Sequence, residues 1–316
     1  MSLHPPGVRD PFGRETTNLR ISLNRVCNVG CFFCHMEGQP PNQYDLTAEE
    51  LERVVRTAVR LGVRKVKLSG GEPTLRRDIK EIVTRLRPHL EELSMTTNGS
   101  LLSKLARPLR QAGLDRINLS LHTLKRDTYK AITGVDLLPR VLEGLNAALE
   151  AGFSAVKINM VLLKGVNESE VWDLMDFAAE KGAILQVIEL QGPLHELDAP
   201  SFWERYVPVK PLEDELRRQG VLVGKNELHD RPQYRVPANG SSLVVELVGP
   251  MFNPSFCDGC YRIRLTADGR VKTCLFDERA EVNLKAAMTT GASDEELVTL
   301  LVKAIHSREP YWREEA

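Results

Sequence analysis

The residues best suited to chemistry in this chain are its cysteines, which are few and unevenly spread. The 316 residues include six of them, arranged as C-x3-C-x2-C over 27–34 and C-x2-C-x13-C over 257–274. An odd number in each group would force a disulfide between the groups, and a chain this long needs no such bridge to hold a core. Unrelated buried thiols are not expected at such density. Both groups are therefore interpreted as metal sites.

Each group offers three thiolates, and this number bears on the kind of metal. Structural zinc is normally held by four protein ligands. His35 could add a fourth ligand to the first group, but it directly follows Cys34 and would have to fold back onto the same ion. A 4Fe-4S cubane with three thiolates keeps one iron open for a ligand that is not protein. We favour a 4Fe-4S cluster at each group, with zinc as the alternative.

The elements that must position these groups alternate along the first part of the chain. Strand candidates lie at 19–23, 65–69, 93–97, 116–121, 156–163 and 184–190, and helical patterns lie near 51–61, 76–87, 101–112, 137–151 and 168–181. Thr47 and Glu50 form a capping box before the first helix. Such alternation favours parallel strands with right-handed crossovers. Six units are too few for a closed eight-stranded barrel, so we predict an α/β fold with an open, partial (β/α)6 barrel whose site lies at the carboxyl ends of the strands.

The alternation ends after Glu189. The segment 192–200, with its prolines and acids, is interpreted as a linker or lid, and 209–220 as one more helix. Strand-like runs at 233–236, 242–248, 261–269 and 271–276, with a hairpin turn at Asp268-Gly269, predict a small, mainly antiparallel β domain that carries the second cysteine group. We place the barrel domain at 1–190 and the C-terminal domain at 191–316.

Glycine and polar residues stand at or near the ends of the predicted barrel strands. Ser69-Gly70-Gly71-Glu72 ends the second strand, where the glycines allow close approach of the backbone and Glu72 could accept a hydrogen bond from an ammonium group. The further candidates on these strands are Thr96, Thr97, Asn98, Ser120 and Lys157. We expect them to line one pocket.

A C-x3-C-x2-C loop after the first strand, with Gly-Gly-Glu one strand later, resembles the radical S-adenosylmethionine (SAM) superfamily. The resemblance implies a 4Fe-4S cluster on Cys27, Cys31 and Cys34, with SAM chelating the open iron. One electron from the cluster would then cleave the sulfonium bond and give a 5′-deoxyadenosyl radical. The SAM contacts implied are Phe33, Gly71, Glu72, Ser120 and Gln191.

The second cysteine group, CDGCYRIRLTADGRVKTC, looks like the C-terminal domain of the GTP 3′,8-cyclase family of molybdenum cofactor biosynthesis, and LRISLNRVCNVGCFFC, KVKLSGGEPTLRRD and MTTNG resemble the same family. The resemblance implies conversion of GTP to (8S)-3′,8-cyclo-7,8-dihydroguanosine 5′-triphosphate, through loss of ribose H3′ and attack on C8 of guanine. A second 4Fe-4S cluster on Cys257, Cys260 and Cys274 would contact the guanine. The GTP contacts implied are Arg20, Lys67, Thr96, Lys157, Arg262 and Arg264, of which Lys157, Arg262 and Arg264 would also be catalytic. These cations suit a triphosphate.

The chain departs from the pattern of this family at several positions. Lys67 stands where arginine is common, Gln191 where methionine is usual, and His122 where aspartate is common, so that we expect His122 to be structural. The family's C-terminal Gly-Gly is absent from the last residues, 312–316. Either this branch completes its site otherwise, or the reaction is altered.

Composition limits the partners. A net charge of -1 offers no field for nucleic acid or an anionic membrane, and neither a secretory signal nor a long apolar run is found, so we expect a cytoplasmic protein. The expected partners are GTP and an electron donor of the ferredoxin or flavodoxin type, and a homodimer is considered. Two other functions stay open: a radical SAM peptide maturase with an auxiliary cluster, and a metal-binding regulator without turnover.

Overall fold

The computed structural model describes residues 5–39, 44–277, 279 and 282–313. In these ranges the strands are β1 (Asn18–Ser22), β2 (Lys65–Ser69), β3 (Glu92–Thr97), β4 (Arg116–Ser120), β5 (Ala155–Leu162), β6 (Ile184–Glu189), β7 (Val221–Asn226), β8 (Arg231–Ala238), β9 (Ser241–Val248), β10 (Arg262–Leu265), β11 (Arg270–Lys272) and β12 (Val282–Asn283). The α-helices are α1 (Ala48–Arg60), α2 (Ile79–Leu86), α3 (Leu102–Gln111), α4 (Arg126–Thr133), α5 (Leu138–Glu150), α6 (Val171–Glu180), α7 (Pro200–Trp203), α8 (Lys210–Gln219), α9 (Pro254–Asp258), α10 (Leu284–Thr289) and α11 (Asp294–His306). No helix in this part of the chain is long and apolar enough to cross a membrane.

Strands β1 to β6 pair in parallel in chain order, as the alternation predicts. The C-terminal strands extend this sheet at both edges. β10 pairs in parallel with β1 and carries β11 and β12 antiparallel, while β9 pairs in parallel with β6 and carries β8 and β7 antiparallel. Within the described ranges the edge strands β12 and β7 do not pair, so the barrel is open. The predicted fold class is confirmed, and the domain boundary after residue 190 stays a prediction.

The alternation of residues in β1, β2 and β10 sorts their side chains between two faces. Leu19 and Ile21 of β1 belong to the core, and Arg20 between them points to the other face because successive side chains of a strand alternate. The same holds for the core residues Val66, Leu68, Ile263 and Leu265, which alternate with Lys67, Arg262 and Arg264. Three neighbouring strands thus present their cations on the inner face of the barrel.

The first helix forms as predicted. Thr47 Oγ1 accepts from the N–H of Glu50 (3.2 Å) and the Glu50 carboxylate accepts from the N–H of Thr47 (2.8 Å). Helix α4 was not predicted, because no side chain caps its start and it is short. Helix α11 was also missed, although Ser293 and Glu296 form a capping box that the sequence displays.

Candidate active site

A cavity of about 500 Å³ lies where the barrel strands end, and both cysteine groups line it. The other predicted site residues on its wall are Arg20, Phe33, Lys67, Gly71, Glu72, Thr96, Ser120, Gln191, Arg262 and Arg264. Residues separated by more than two hundred positions in the chain therefore share one chamber. Lys157 is the exception among the predicted site residues and is absent from this wall.

The first cysteine loop is held by helix α4. The N–H of Gly30 donates to the carbonyl of Thr133 (2.8 Å), and the N–H of Phe32 donates to the carbonyl of Ile132 (3.1 Å). Both acceptors are carbonyls at the C-terminal end of the helix, which have no partner inside the helix itself. The position of Cys31 between Gly30 and Phe32 thus depends on an element that the sequence pattern did not indicate.

The Gly-Gly-Glu turn braces the same loop from the other side. The N–H of Glu72 donates to the carbonyl of Val26 (2.8 Å), and a Cβ on Gly71 would lie 2.3 Å from that carbonyl oxygen, so only glycine permits the contact. The buried Glu72 carboxylate accepts from Thr97 Oγ1 (2.6 Å) and from the N–H of Asn98 (2.7 Å). Burial raises the pKa of Glu72, and these donors oppose the rise. The turn therefore positions the cysteine loop; the SAM contacts of Gly71 and Glu72 stay a prediction.

The second cysteine group is fixed by side chains from both ends of the chain. Arg14 Nη1 donates to the carbonyl of Cys257 (3.1 Å), and Arg308 Nη2 donates to the carbonyl of Cys260 (2.5 Å). The N–H of Trp312 donates to Cys257 Sγ (3.3 Å). Both arginines are buried, so these bonds are shielded from water.

All six thiols are free. Burial and then the neighbouring cysteines raise the pKa of Cys31 to about 12, and burial raises the pKa of Cys274, so a thiolate-binding metal would have to displace protons. Among the described residues, no three Cys, His, Asp or Glu side chains converge on one position that would hold a single ion. Three thiols in each group match a 4Fe-4S cluster that keeps one iron open, whereas structural zinc is normally held by four protein ligands.

A row of cations crosses the inner face beside the cysteines. Arg264, Arg20 and Lys67 are register partners on β10, β1 and β2. Within the described part of the chain, neither Arg262 nor Lys67 has a carboxylate at ion-pair distance; Lys67 Nζ donates to Asn118 Oδ1 (3.1 Å). Burial and then the charges of neighbouring arginines lower the pKa of Lys67 well below its usual value. Two cations without counter-charges make this wall a receptor for an anion.

Glu37 is a site residue that the sequence reasoning missed. Its carboxylate pairs with Arg20 Nη2 and with Arg264 Nη1, the latter at 2.8 Å. Burial would raise the pKa of Glu37, but Arg20 and Arg264 lower it to about 2. Because Glu37 lies three residues after Cys34, it links the first cysteine loop to the cation row. No local pattern marks it, since its partners come from distant strands.

Lys157 is not among the residues that line the cavity, which corrects the expectation that it lines the pocket. Its Nζ is 2.5 Å from Glu246 Oε2, and Arg231 contacts the same carboxylate at 3.0 Å. Burial lowers the pKa of Lys157 against the opposing effect of Glu246. Burial would raise the pKa of Glu246, but Arg231 and Lys157 bring it to about 2. Lys157 and Glu246 are thus at ion-pair distance, and the predicted GTP contact and catalytic role of Lys157 stay predictions.

Phe33, the aromatic residue expected near SAM, packs edge-on against His122 with ring centroids 5.1 Å apart. His122 Nδ1 accepts from the N–H of Val161 (3.1 Å), and burial lowers the pKa of His122 to about 4. A neutral histidine that accepts a backbone bond has the structural role expected for it. Ser120 and Gln191 lie on the wall of the same cavity.

Comparison with known families agrees with this architecture. Residues 21–178 match the Radical SAM superfamily, and residues 183–314 match the family described as Molybdenum Cofactor Synthesis C. The open barrel with a C-x3-C-x2-C loop at its mouth is thus that of a radical SAM protein, a class that uses a 4Fe-4S cluster and SAM.

Comparison with curated relatives identifies one family within the radical SAM superfamily. Over 305 residues the chain is 50% identical to a probable GTP 3′,8-cyclase of Thermococcus kodakarensis, and the alignment covers 96% of this chain and 99% of that one. It is 48% identical over 303 residues to a probable GTP 3′,8-cyclase of Pyrococcus horikoshii, covering 96% and 97% of the two chains. The chain belongs to the GTP 3′,8-cyclase family of radical SAM enzymes, whose cofactors are two 4Fe-4S clusters and SAM.

Solved structures share the fold at low identity. SuiB of Streptococcus suis bound to precursor peptide SuiA aligns with a TM-score of 0.65 and 18% identity over 94% of this chain and 68% of that one. AnSMEcpe with bound AdoMet and a peptide aligns with a TM-score of 0.51 and 20% identity over 64% of this chain and 58% of that one. At these identities the likeness concerns the fold alone.

Proposed function

We propose that this chain converts GTP to (8S)-3′,8-cyclo-7,8-dihydroguanosine 5′-triphosphate, the first step of molybdenum cofactor biosynthesis. The observation that carries the proposal is that both cysteine groups and the cation row line one cavity. An anionic substrate held by the cations would lie between the two groups. Membership in the GTP 3′,8-cyclase family supports the choice of nucleotide.

In this proposal Cys27, Cys31 and Cys34 hold the first cluster, and Cys257, Cys260 and Cys274 hold the second. When bound, the first cluster and SAM supply a 5′-deoxyadenosyl radical. The role of the protein is to position this cofactor. SAM would be held at the mouth of the barrel by Phe33, Gly71, Glu72, Ser120 and Gln191. Helix α4 and the Gly-Gly-Glu turn keep the loop between them rigid.

The nucleotide would be held by charge. Lys67 and Arg262 have no carboxylate partner in the described part of the chain and are free to bind phosphate oxygens. Arg20 and Arg264 are held by Glu37 so that their guanidinium groups stay in the cavity wall. Thr96 offers a hydroxyl on the same wall. A wall with four cations, two of them without a carboxylate partner in the described part of the chain, favours a triphosphate over a peptide, which has no comparable density of negative charge.

The test is anaerobic incubation of cluster-loaded protein with GTP, SAM and dithionite, with the nucleotide product identified by mass spectrometry. We expect the cyclised triphosphate and 5′-deoxyadenosine. Formation of 5′-deoxyadenosine without any cyclised nucleotide would refute GTP as the substrate. About eight irons per chain would exclude zinc at either site.

Two cysteine variants serve as matched controls. Cys31→Ala should abolish cleavage of SAM, because it removes a ligand of the first cluster. Cys260→Ala should abolish cyclisation and leave the first cluster in place. Continued cyclisation by either variant contradicts the assignment of that cysteine, and unchanged SAM cleavage in Cys31→Ala would favour a regulator whose metal has no part in turnover.

The remaining partners are part of the same proposal. We infer that a one-electron donor of the ferredoxin or flavodoxin type reduces the first cluster and that the protein works in the cytoplasm. Reduction of the loaded protein by purified donors, compared with dithionite, tests the first point. A homodimer is tested by sedimentation of the loaded protein.

A further inference from the structure

His229 lies on the wall of the same cavity, between β7 and β8. His229 and Asp230 both have left-handed backbone conformations, with φ of 67° and 48°. Residues other than glycine seldom adopt this conformation, and two in succession carry a cost that concentrates at sites of function. The segment is therefore held in place by its surroundings.

Those surroundings are the second cysteine group. The ring of His229 stacks on Phe256, with centroids 3.9 Å apart and planes 9° apart. The N–H of His229 donates to the carbonyl of Gly259 (2.6 Å), and a Cβ on Gly259 would lie only 3.0 Å from His229 Cα. Phe256 and Gly259 are the immediate neighbours of Cys257 and Cys260 in the chain. The histidine ring is thus fixed relative to the ligands of the proposed second cluster.

The hydrogen bond at Nδ1 determines the tautomer of the His229 ring. His229 Nδ1 lies 2.8 Å from the carbonyl of Phe256, and a carbonyl can only accept, so Nδ1 carries the proton. Nε2 then presents a lone pair. Burial, and after it the charge of Arg262, lowers the pKa of His229 well below its usual value, which keeps the ring neutral.

Nε2 has no hydrogen-bond partner among the described residues. The charged side chains of this wall that act electrostatically on the His229 ring, Arg262, Arg231 and Arg264, carry donors only. Nε2 is therefore an acceptor in a region of donors. A ligand group that binds here through Nε2 must itself carry an N–H or O–H.

We propose that His229 is a specificity-determining residue whose Nε2 accepts a hydrogen bond from the donor edge of guanine, either N1–H or the 2-amino group. The inference rests on the proposed function, which brings the base to the second cysteine group. Adenine presents a lone pair at N1, which would face the lone pair of Nε2. His229 would thus select guanine while the cations bind a phosphate chain that every nucleoside triphosphate shares.

The test compares dissociation constants of cluster-loaded protein for GTP, for ITP, which lacks the 2-amino group, and for 1-methyl-GTP, which lacks N1–H. The wild type should bind at least one analogue about 10- to 100-fold more weakly than GTP. His229→Phe retains the stacked ring without Nε2 and should bind that analogue and GTP with a ratio near one. His229→Gln returns an acceptor at a similar reach and should recover part of the ratio.

Each other outcome is informative. If His229→Phe weakens all three nucleotides by the same factor, the residue only supports the fold and the inference is wrong; the same conclusion follows if the wild type does not distinguish them. If iron analysis shows that His229→Phe does not hold the second cluster, the comparison is made with His229→Gln instead. In that case the assignment is overturned if His229→Gln keeps the full wild-type ratio of dissociation constants although a crystal structure shows no contact between the glutamine oxygen and the base. A wild type that binds none of the nucleotides refutes the proposed function itself.

Discussion

Replacing Lys67 by methionine is expected to stabilise the nucleotide-free chain and to weaken GTP binding. The lowered pKa of Lys67 indicates that its charge opposes folding, through burial first and neighbouring arginines second. Its Nζ donates to Asn118 Oδ1 (3.1 Å), and loss of this bond costs about 1 kcal/mol. Exchange of a buried ion pair for apolar side chains of similar size often stabilises by about 1–4 kcal/mol, and Lys67 lacks even the compensation of a paired carboxylate, so a gain in this range is expected. The net gain in the free energy of unfolding should therefore lie between about 0 and 3 kcal/mol.

The same substitution removes a charged donor from the anion site. A hydrogen bond to a charged group contributes about 1.5–3 kcal/mol, so the Kd for GTP should rise roughly 10- to 150-fold. Urea unfolding of the cluster-loaded protein gives the first quantity and calorimetric titration with GTP the second. Lys67→Arg retains the cation and is the control, with binding near that of the wild type. A methionine variant that unfolds at lower urea concentration, or that binds GTP as tightly as the wild type, would refute the reasoning.

Gly71→Ala should empty the first cluster site and spare the second, because the new Cβ would lie 2.3 Å from the Val26 carbonyl oxygen; about half of the iron should be lost, and full iron content would contradict the close packing. The pKa of His122 is lowered to about 4, so that between pH 7 and 5 its side chain takes up a proton in the unfolded chain but not in the folded chain, and its titration alone should lower the free energy of unfolding of the wild type by about 2 kcal/mol. His122→Asn retains an acceptor but lacks this titration, and equal losses of both proteins in urea unfolding at the two pH values would exclude His122 as the cause. Arg308→Met leaves the carbonyl of Cys260 without its buried donor and removes a buried cation 3.4 Å from the Asp10 carboxylate, so it should destabilise the chain by about 3–5 kcal/mol, with loss of the second cluster first on mild heating; an unchanged melting temperature would show that Arg308 is dispensable.

The parts of the fold that were predictable from the sequence are those encoded over short distances. The capping box of Thr47 and Glu50 and the alternating residues of β2 each act within a few positions, and both appear in the structure as expected. The two cysteine groups were recognisable for the same reason, since their ligands lie close together in the chain. Local spacing was therefore sufficient to place the barrel and to count the metal sites.

The parts that were not predictable depend on distant pairing. Glu37 becomes a site residue only because β10 lies beside β1, which brings Arg264 next to Arg20. Lys157 was expected on the cavity wall, but it is absent from that wall and its ammonium group pairs with Glu246 on the strand beside β6. Neither pairing leaves a mark in the local pattern of either partner, because each segment has an ordinary strand sequence on its own.

The parallel pairing of β10 with β1 also explains how one cavity can serve two metal sites. Register places Arg264 beside Arg20, and Glu37 bridges both arginines from a position three residues after Cys34. The strand that carries Arg264 begins two residues after Cys260. One strand pair and one carboxylate therefore connect the cation row to the chain segments that carry the two cysteine groups. Loss of the ion pairs of Glu37 would loosen the first cysteine loop and the proposed nucleotide site together. Substrate binding would thus be coupled to the geometry of the first cluster site.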